Sequence, residues 1–182
     1  MNGRSQVAIK RILVATDGSA TAQAALAWAA DLAVPLGAEV VVISVIDIAT
    51  LYPGALYLPV SEEQMRERLD KELNDAWTER MRDRGVPFRT LLGEGNPAAV
   101  IVKTAAAEKA DLIVMGSRGH GGFTELVIGS VAHHVTHHAR IPVVVVPPGA
   151  VTAEQAEDEV ARVERSEPPG PVQPERPPAD GG

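Results

Sequence analysis

The sequence predicts an α/β domain, an open parallel sheet with helices on both faces. Two observations carry this. Short apolar runs recur along the chain and are continuous rather than alternating, which suits strands covered on both sides. Between the runs lie segments with helical patterning and helix-start signals. The 182 residues suffice for one such domain and an appendage. Hydrophobic residues make up 45% and aromatic residues only 3%, so the core must be aliphatic.

The first run is Ile12 to Ala15. Residues 19 to 34 follow, rich in Ala, with Ser19 as N-cap and Pro35 and Gly37 as stop signals. Val40 to Ile46 is the second run. Residues 47 to 60, "DIATLYPGALYLPV", form an unusually long connection, either a wandering crossover or a flap over the ligand edge of the sheet. Residues 61 to 84 open on "SEEQ", where Ser61 and Gln64 have the spacing of a capping box. "PFRTLL", Pro87 to Leu92, is a weaker strand candidate. Pro97 suits the first turn of a helix over residues 97 to 109. Leu112 to Met115 and Val143 to Val146 are the remaining runs, with a helix expected between them over residues 129 to 139.

The composition changes near residue 151. The expected division is a folded domain, residues 1–150, and an acidic, Pro-rich tail, residues 151–182. From Thr152 onward the chain holds eight acidic and three basic residues, which is -5 of the net -7. Residues 152 to 165 read as a marginal helix and 166 to 182 as disordered, serving either to solvate the chain or to bind a protein partner. The net charge argues against coating nucleic acid. With no cysteine there is no disulfide and no thiolate chemistry. The N-terminus has no apolar signal region, and no apolar run reaches the roughly 18–20 residues of a membrane span, so the expected location is cytoplasmic.

The stretch "MGSRGHGGFTELVIGS", Met115 to Ser130, is the candidate site. A glycine loop after a parallel strand and before a helix offers unpaired amides and the positive end of the helix dipole, a setting for phosphate. Glycine also lets backbone approach oxygen atoms closely, so a methyl group at Gly116 or Gly119 should obstruct a phosphate. In an open α/β sheet the ligand crevice lies at the carboxyl ends of the strands. Asp17, in "ATDGS", falls on that edge, where it could bind a ribose hydroxyl or simply form a turn with Gly18. Ser130 can donate both hydroxyl and N–H at the helix start. The loop is neither a P-loop nor G-x-G-x-x-G.

Gly116-x-x-Gly119, then nine residues, then Gly129-Ser130, resembles the nucleotide-binding signature of the universal stress protein family. "RILVATDGSATAQAALAWAADLA", "GAEVVVISVID", "ADLIVMGSRGHGG" and "IGSVAHHVTHHARIPVVVVP" extend the resemblance over about residues 8 to 148. It implies a five-stranded parallel sheet of order 3-2-1-4-5, a homodimer through strand 142–147, and membership of the branch that binds ATP, with Mg²⁺ carried by the phosphates. By the same resemblance Ala15, Thr16 and Asp17 line the adenosine side and Val45 contacts adenine. Met115, Gly116, Arg118, Gly119, His120, Gly129, Ser130 and Val131 surround the ribose and phosphates. His120 either hydrogen-bonds a phosphate or fills a turn.

The expected function is that of an ATP-binding stress-response regulator, in which occupancy modulates dimer or partner contacts. A slow ATP-hydrolysing enzyme and a non-nucleotide scaffold are the alternatives. Arg118 is a candidate cation for phosphoryl transfer, but no base is identified and no catalytic residue is assigned. The four histidines of "HHVTHH" form i,i+4 pairs, with His133 and His137 pointing away from the apolar stripe. Each pair could offer two metal ligands, but a zinc site would need a third or fourth from elsewhere and no acidic residue accompanies them locally, so they read as structure and surface and no metal site is assigned.

Overall fold

The computed structural model describes residues 8–47, 61–119 and 128–150. The long connection over residues 47–60 (apart from Asp47), His120 and the tail from Val151 lie outside them. The chain divides into two units, Met1–Gly149 and Ala150–Gly182, and the elements below belong to the first. They are β1 (Arg11–Ala15), α1 (Ala20–Leu36), β2 (Glu39–Ile46), α2 (Glu62–Asn74), α3 (Glu79–Asp83), β3 (Phe88–Glu94), α4 (Pro97–Ala107), β4 (Leu112–Gly116), α5 (Ser130–His138) and β5 (Val143–Val146).

All strands pair in parallel, in the order β3-β2-β1-β4-β5. Alternate residues of each strand serve opposite faces. On β1, Ile12 and Val14 pack with Ala25, Leu26, Leu73 and Met81 from α1 to α3. Leu13 and Ala15 pack with Ile101, Ala105, Ala132 and Val135 from α4 and α5. Both faces are therefore dry, which is why the strand runs are continuous. The order turns back between β1 and β4, so the loops after these two strands part and leave a crevice at their carboxyl ends.

Local signals set most boundaries. The Ser19 side chain accepts from Ala22 N–H, Asn96 caps the Pro97 helix, and Ser61 with Gln64 forms the reciprocal capping box. Two expectations need correction. Pro35 does not end α1. It lies in the last turn, where only one backbone bond is forgone, and Gly37 at φ 59° supplies the left-handed cap. Nor is residues 61–84 one helix. It breaks after Asn74, where the buried Thr78 hydroxyl donates to the carbonyls of Leu73 (2.9 Å) and Asn74 (3.2 Å). Trp77, half-buried, turns to the Gly18 backbone, so close that a Cβ on Gly18 would stand 2.4 Å from the indole.

The opposite end of the sheet carries an ionic cluster. Glu39 pairs with Arg11 at 3.0 Å and with Arg89 at 3.2 Å, and Arg89 also pairs with Glu108. Asp111 accepts the amides of Lys10 (2.8 Å) and Arg11 (3.0 Å). The hydrogen bond from Arg11 holds Glu39 below its ordinary 4.5, that from Arg89 does the same for Glu108, and the two amides hold Asp111 below 3.8. Carboxyls depressed in the fold contribute stability above their unfolded values and lose it as pH falls through the folded ones. Melting temperature should therefore fall between about pH 5 and about pH 3. The slope should be shallower in Arg89→Gln, which removes one cation. These partly exposed pairs are worth about 1 kcal/mol or less each, so the effect is modest. Parallel melting curves across that range check it, and identical slopes would show that the cluster contributes nothing.

Candidate functional site

The carboxyl ends of β1 and β4, the loops that follow, and the start of α5 enclose a cleft of about 450 Å³. Ala15, Thr16, Asp17, Val45, Met115, Gly116, Arg118, Gly119, Gly129, Ser130 and Val131 all line it. Every expected site residue is thus brought to one place except His120, which is not among the described residues. The cleft also takes in Ala22, Ile43, Pro97, Ile101, Ser117 and Ala132, which sequence reasoning did not assign. Pro97 and Ile101 come from α4 on the other side of the chain's crossover, and no local motif marks them. Ser117 sits inside the glycine motif and could have been found there.

One side of the cleft is apolar, built from Ile43, Val45, Pro97, Ile101 and Met115, with no aromatic side chain among the described lining residues. The other side is polar. Asp17 is exposed, and its Oδ1 accepts the Ser19 amide at 3.0 Å, so the turn that the sequence allowed is formed. Its second oxygen, Oδ2, lies against Gly119. Thr16 Oγ1 accepts the Gly18 amide at 3.2 Å. The Thr21 hydroxyl donates to the carbonyl of Arg118 and ties the start of α1 to the loop after β4.

Among the described residues, two buried polar atoms of the lining have no partner, the Ser117 hydroxyl and Arg118 Nε. Buried donors left unpaired are costly, so their presence at a cleft wall is informative. Among the described residues no side chain caps α5 either, since its N-cap is Gly129. The first-turn amides therefore lack an intrahelical acceptor, and the positive end of the helix dipole opens at the cleft. Hydroxyl, guanidinium N–H and uncapped amides together make a set of donors suited to an oxyanion.

The glycines act differently from the expectation. None of Gly116, Gly119 and Gly129 has a positive φ. A Cβ on Gly116 would meet the Thr21 backbone at 2.7 Å and Ala22 N at 2.8 Å, where α1 begins. On Gly119 it would meet Asp17 Oδ2 at 2.4 Å, and on Gly129 the Ser117 carbonyl oxygen at 3.3 Å. The glycines let the two loops and α1 close on one another, and this close approach creates the cleft wall.

The sequence matches the model of the universal stress protein family over residues 8–147. A universal stress protein of Methanocaldococcus jannaschii is 38% identical over 145 residues, which is 75% of this chain and 81% of the relative. Among solved structures, a universal stress protein family member from Burkholderia pseudomallei is 34% identical with a TM-score of 0.61, covering 76% of this chain and 96% of that one. Two more distant structures share the fold. One is a universal stress protein in complex with cAMP (21% identity, TM-score 0.61, 78% of this chain and 99% of that one). The other, from Archaeoglobus fulgidus, is in complex with dAMP (24%, 0.56, 78% and 99%).

Proposed function

Because this chain belongs to the universal stress protein family, we propose that its cleft binds an adenine nucleotide, ATP with Mg²⁺ carried by the phosphates, and that occupancy regulates its contacts. The observation that carries the reading is the pair of unpartnered buried atoms, Ser117 Oγ and Arg118 Nε, beside the uncapped start of α5. Phosphate oxygens accept from such donors. The base fits the aliphatic side between Ile43, Val45, Pro97, Ile101 and Met115. Asp17 accepts a ribose hydroxyl. Among the described residues, Asp17 and Arg118 are the only ionisable side chains of the lining, which favours binding over dedicated hydrolysis.

The test is to heat-denature purified protein and assay released adenine nucleotide, then to titrate ATP, ADP, cAMP, dAMP and inorganic phosphate into stripped protein. Binding of the nucleotides with phosphate inert supports the reading. Absence of both released nucleotide and titratable binding overturns it in favour of a scaffold. Phosphate release at catalytic rates would favour an enzyme.

The homodimer is proposed through β5, an edge strand whose outer side has no neighbour among the described residues. Ile113 N–H donates to Pro142 O at 3.0 Å and Ser117 N–H to Val146 O at 2.8 Å. By the alternation of a parallel ladder, Val143 and Val145 therefore turn their backbone groups outward. Val145→Pro removes an outward donor and spares the β4 ladder. It should convert a dimer to a monomer in light scattering at micromolar concentration. A wild type that is already monomeric there would defeat the proposal.

A further inference from the structure

The two i,i+4 histidine pairs of α5 are not equivalent. His134 Nδ1 lies 2.7 Å from Ser130 O, and His138 Nδ1 lies 2.8 Å from His134 O. A carbonyl oxygen only accepts, so each Nδ1 holds the proton and donates it. Their rings are held nearly parallel, at 9°, with centroids 6.3 Å apart. His133 and His137 are different. Both are exposed, their centroids are 4.6 Å apart, and their planes are inclined at 60°. No hydrogen bond among the described residues engages a ring nitrogen of either.

A metal ion bound by two imidazoles sits about 2.0–2.1 Å from each nitrogen. That puts each ring centre about 3.2 Å from the ion, and bite angles of about 90–110° then separate the centres by about 4.5–5.2 Å. The His133–His137 separation of 4.6 Å falls in this interval, and the His134–His138 separation of 6.3 Å does not. Neutral imidazole selects borderline transition ions over hard ones such as Mg²⁺.

We propose that His133 and His137 form a bidentate clip for one divalent transition-metal ion, Cu²⁺, Ni²⁺ or Zn²⁺. No cluster of three or more candidate ligands occurs among the described residues, so water completes the coordination. The clip is separate from the cleft, whose lining on this helix ends at Ala132. An ion held by residues one turn apart stabilises the folded helix by linkage.

The test uses untagged full-length chain, stripped of nucleotide, titrated calorimetrically with Ni²⁺, Zn²⁺ and Mg²⁺, with melting temperature followed in parallel. One Ni²⁺ or Zn²⁺ per chain is expected, with a rise in melting temperature, and no response to Mg²⁺. Loss of one imidazole forfeits the chelate advantage, so His133→Ala and His137→Ala should each weaken binding about a hundredfold. His134→Ala and His138→Ala should bind as the wild type does. All four variants can be checked for fold by circular dichroism. The clip is overturned by unaltered binding in His133→Ala or His137→Ala. Equal losses at all four helix positions, a stoichiometry of half an ion per chain, or no saturable binding would overturn it too.

Discussion

Gly116→Ala should destabilise the domain by about 1–3 kcal/mol, the usual cost of forcing a methyl group into packed surroundings. For a unit of this size that is a fall of about 3–10 °C in melting temperature. The added carbon would stand 2.7–2.8 Å from the Thr21 and Ala22 backbone. Backbone at the start of a capped helix cannot step aside as a flexible side chain can. Either α1 or β4 must shift, and β4 is buried along its whole length between β1 and β5. Gly119→Ala is the natural contrast. Among the described residues its methyl group would meet the end of the Asp17 side chain, which gives way at less cost than backbone. That variant should melt close to the wild type and bind nucleotide poorly, because the displaced carboxylate is the proposed ribose contact. Thermal melts of the two variants side by side test this. A wild-type melting temperature for Gly116→Ala would show that the approach of α1 to β4 is looser than the structure has it.

Asp17→Ala should weaken nucleotide binding tenfold to a hundredfold, since a hydrogen bond to a charged group is worth roughly 1.5–3 kcal/mol. The loss should be similar for ATP and adenosine, because the contact is to ribose and not to phosphate. The same substitution also removes the acceptor of the Ser19 amide, so a small fall in stability accompanies it. Asp17→Asn separates the two effects. Its amide oxygen can still accept from Ser19 and keep the turn, whereas the charge that strengthens the ribose contact is gone. Calorimetric titration of ATP, ADP and adenosine into both variants measures the division. If Asp17→Ala binds ATP as the wild type does, the residue is a turn former alone. If ATP binding is lost and adenosine binding kept, Asp17 acts at the phosphates, through the metal they carry.

Much of the fold was legible because it depends on neighbours in sequence. Continuous apolar runs marked β1, β2, β4 and β5, since strands buried on both faces cannot alternate. Ser19, Ser61 with Gln64, Pro97 and Gly37 marked helix ends through contacts within a few residues, and those contacts are formed. β3 was the weakest strand to read, and its residues are only half-buried, at the sheet's far edge. The break between α2 and α3 carried no Gly or Pro to announce it. It arises because Thr78 is buried against the end of α2 and Trp77 seats on Gly18, which lies about sixty positions earlier in the chain.

The glycine motif divides along the same line. The chain alone determined that Gly116, Gly119, Gly129 and Ser130 belong to a loop between a strand and a helix at the ligand edge, because strand and helix periods and their order are local properties. Only the tertiary structure decided what each glycine is for. Gly116 faces α1 and Gly119 faces Asp17, contacts between residues about a hundred positions apart. The same long-range packing brought Ile43, Pro97 and Ile101 to the cleft and left Ser117 Oγ and Arg118 Nε buried without partners among the described residues. No window of sequence contains both sides of such a contact, so the wall of the cleft is a product of how β1, β4 and α1 close on one another.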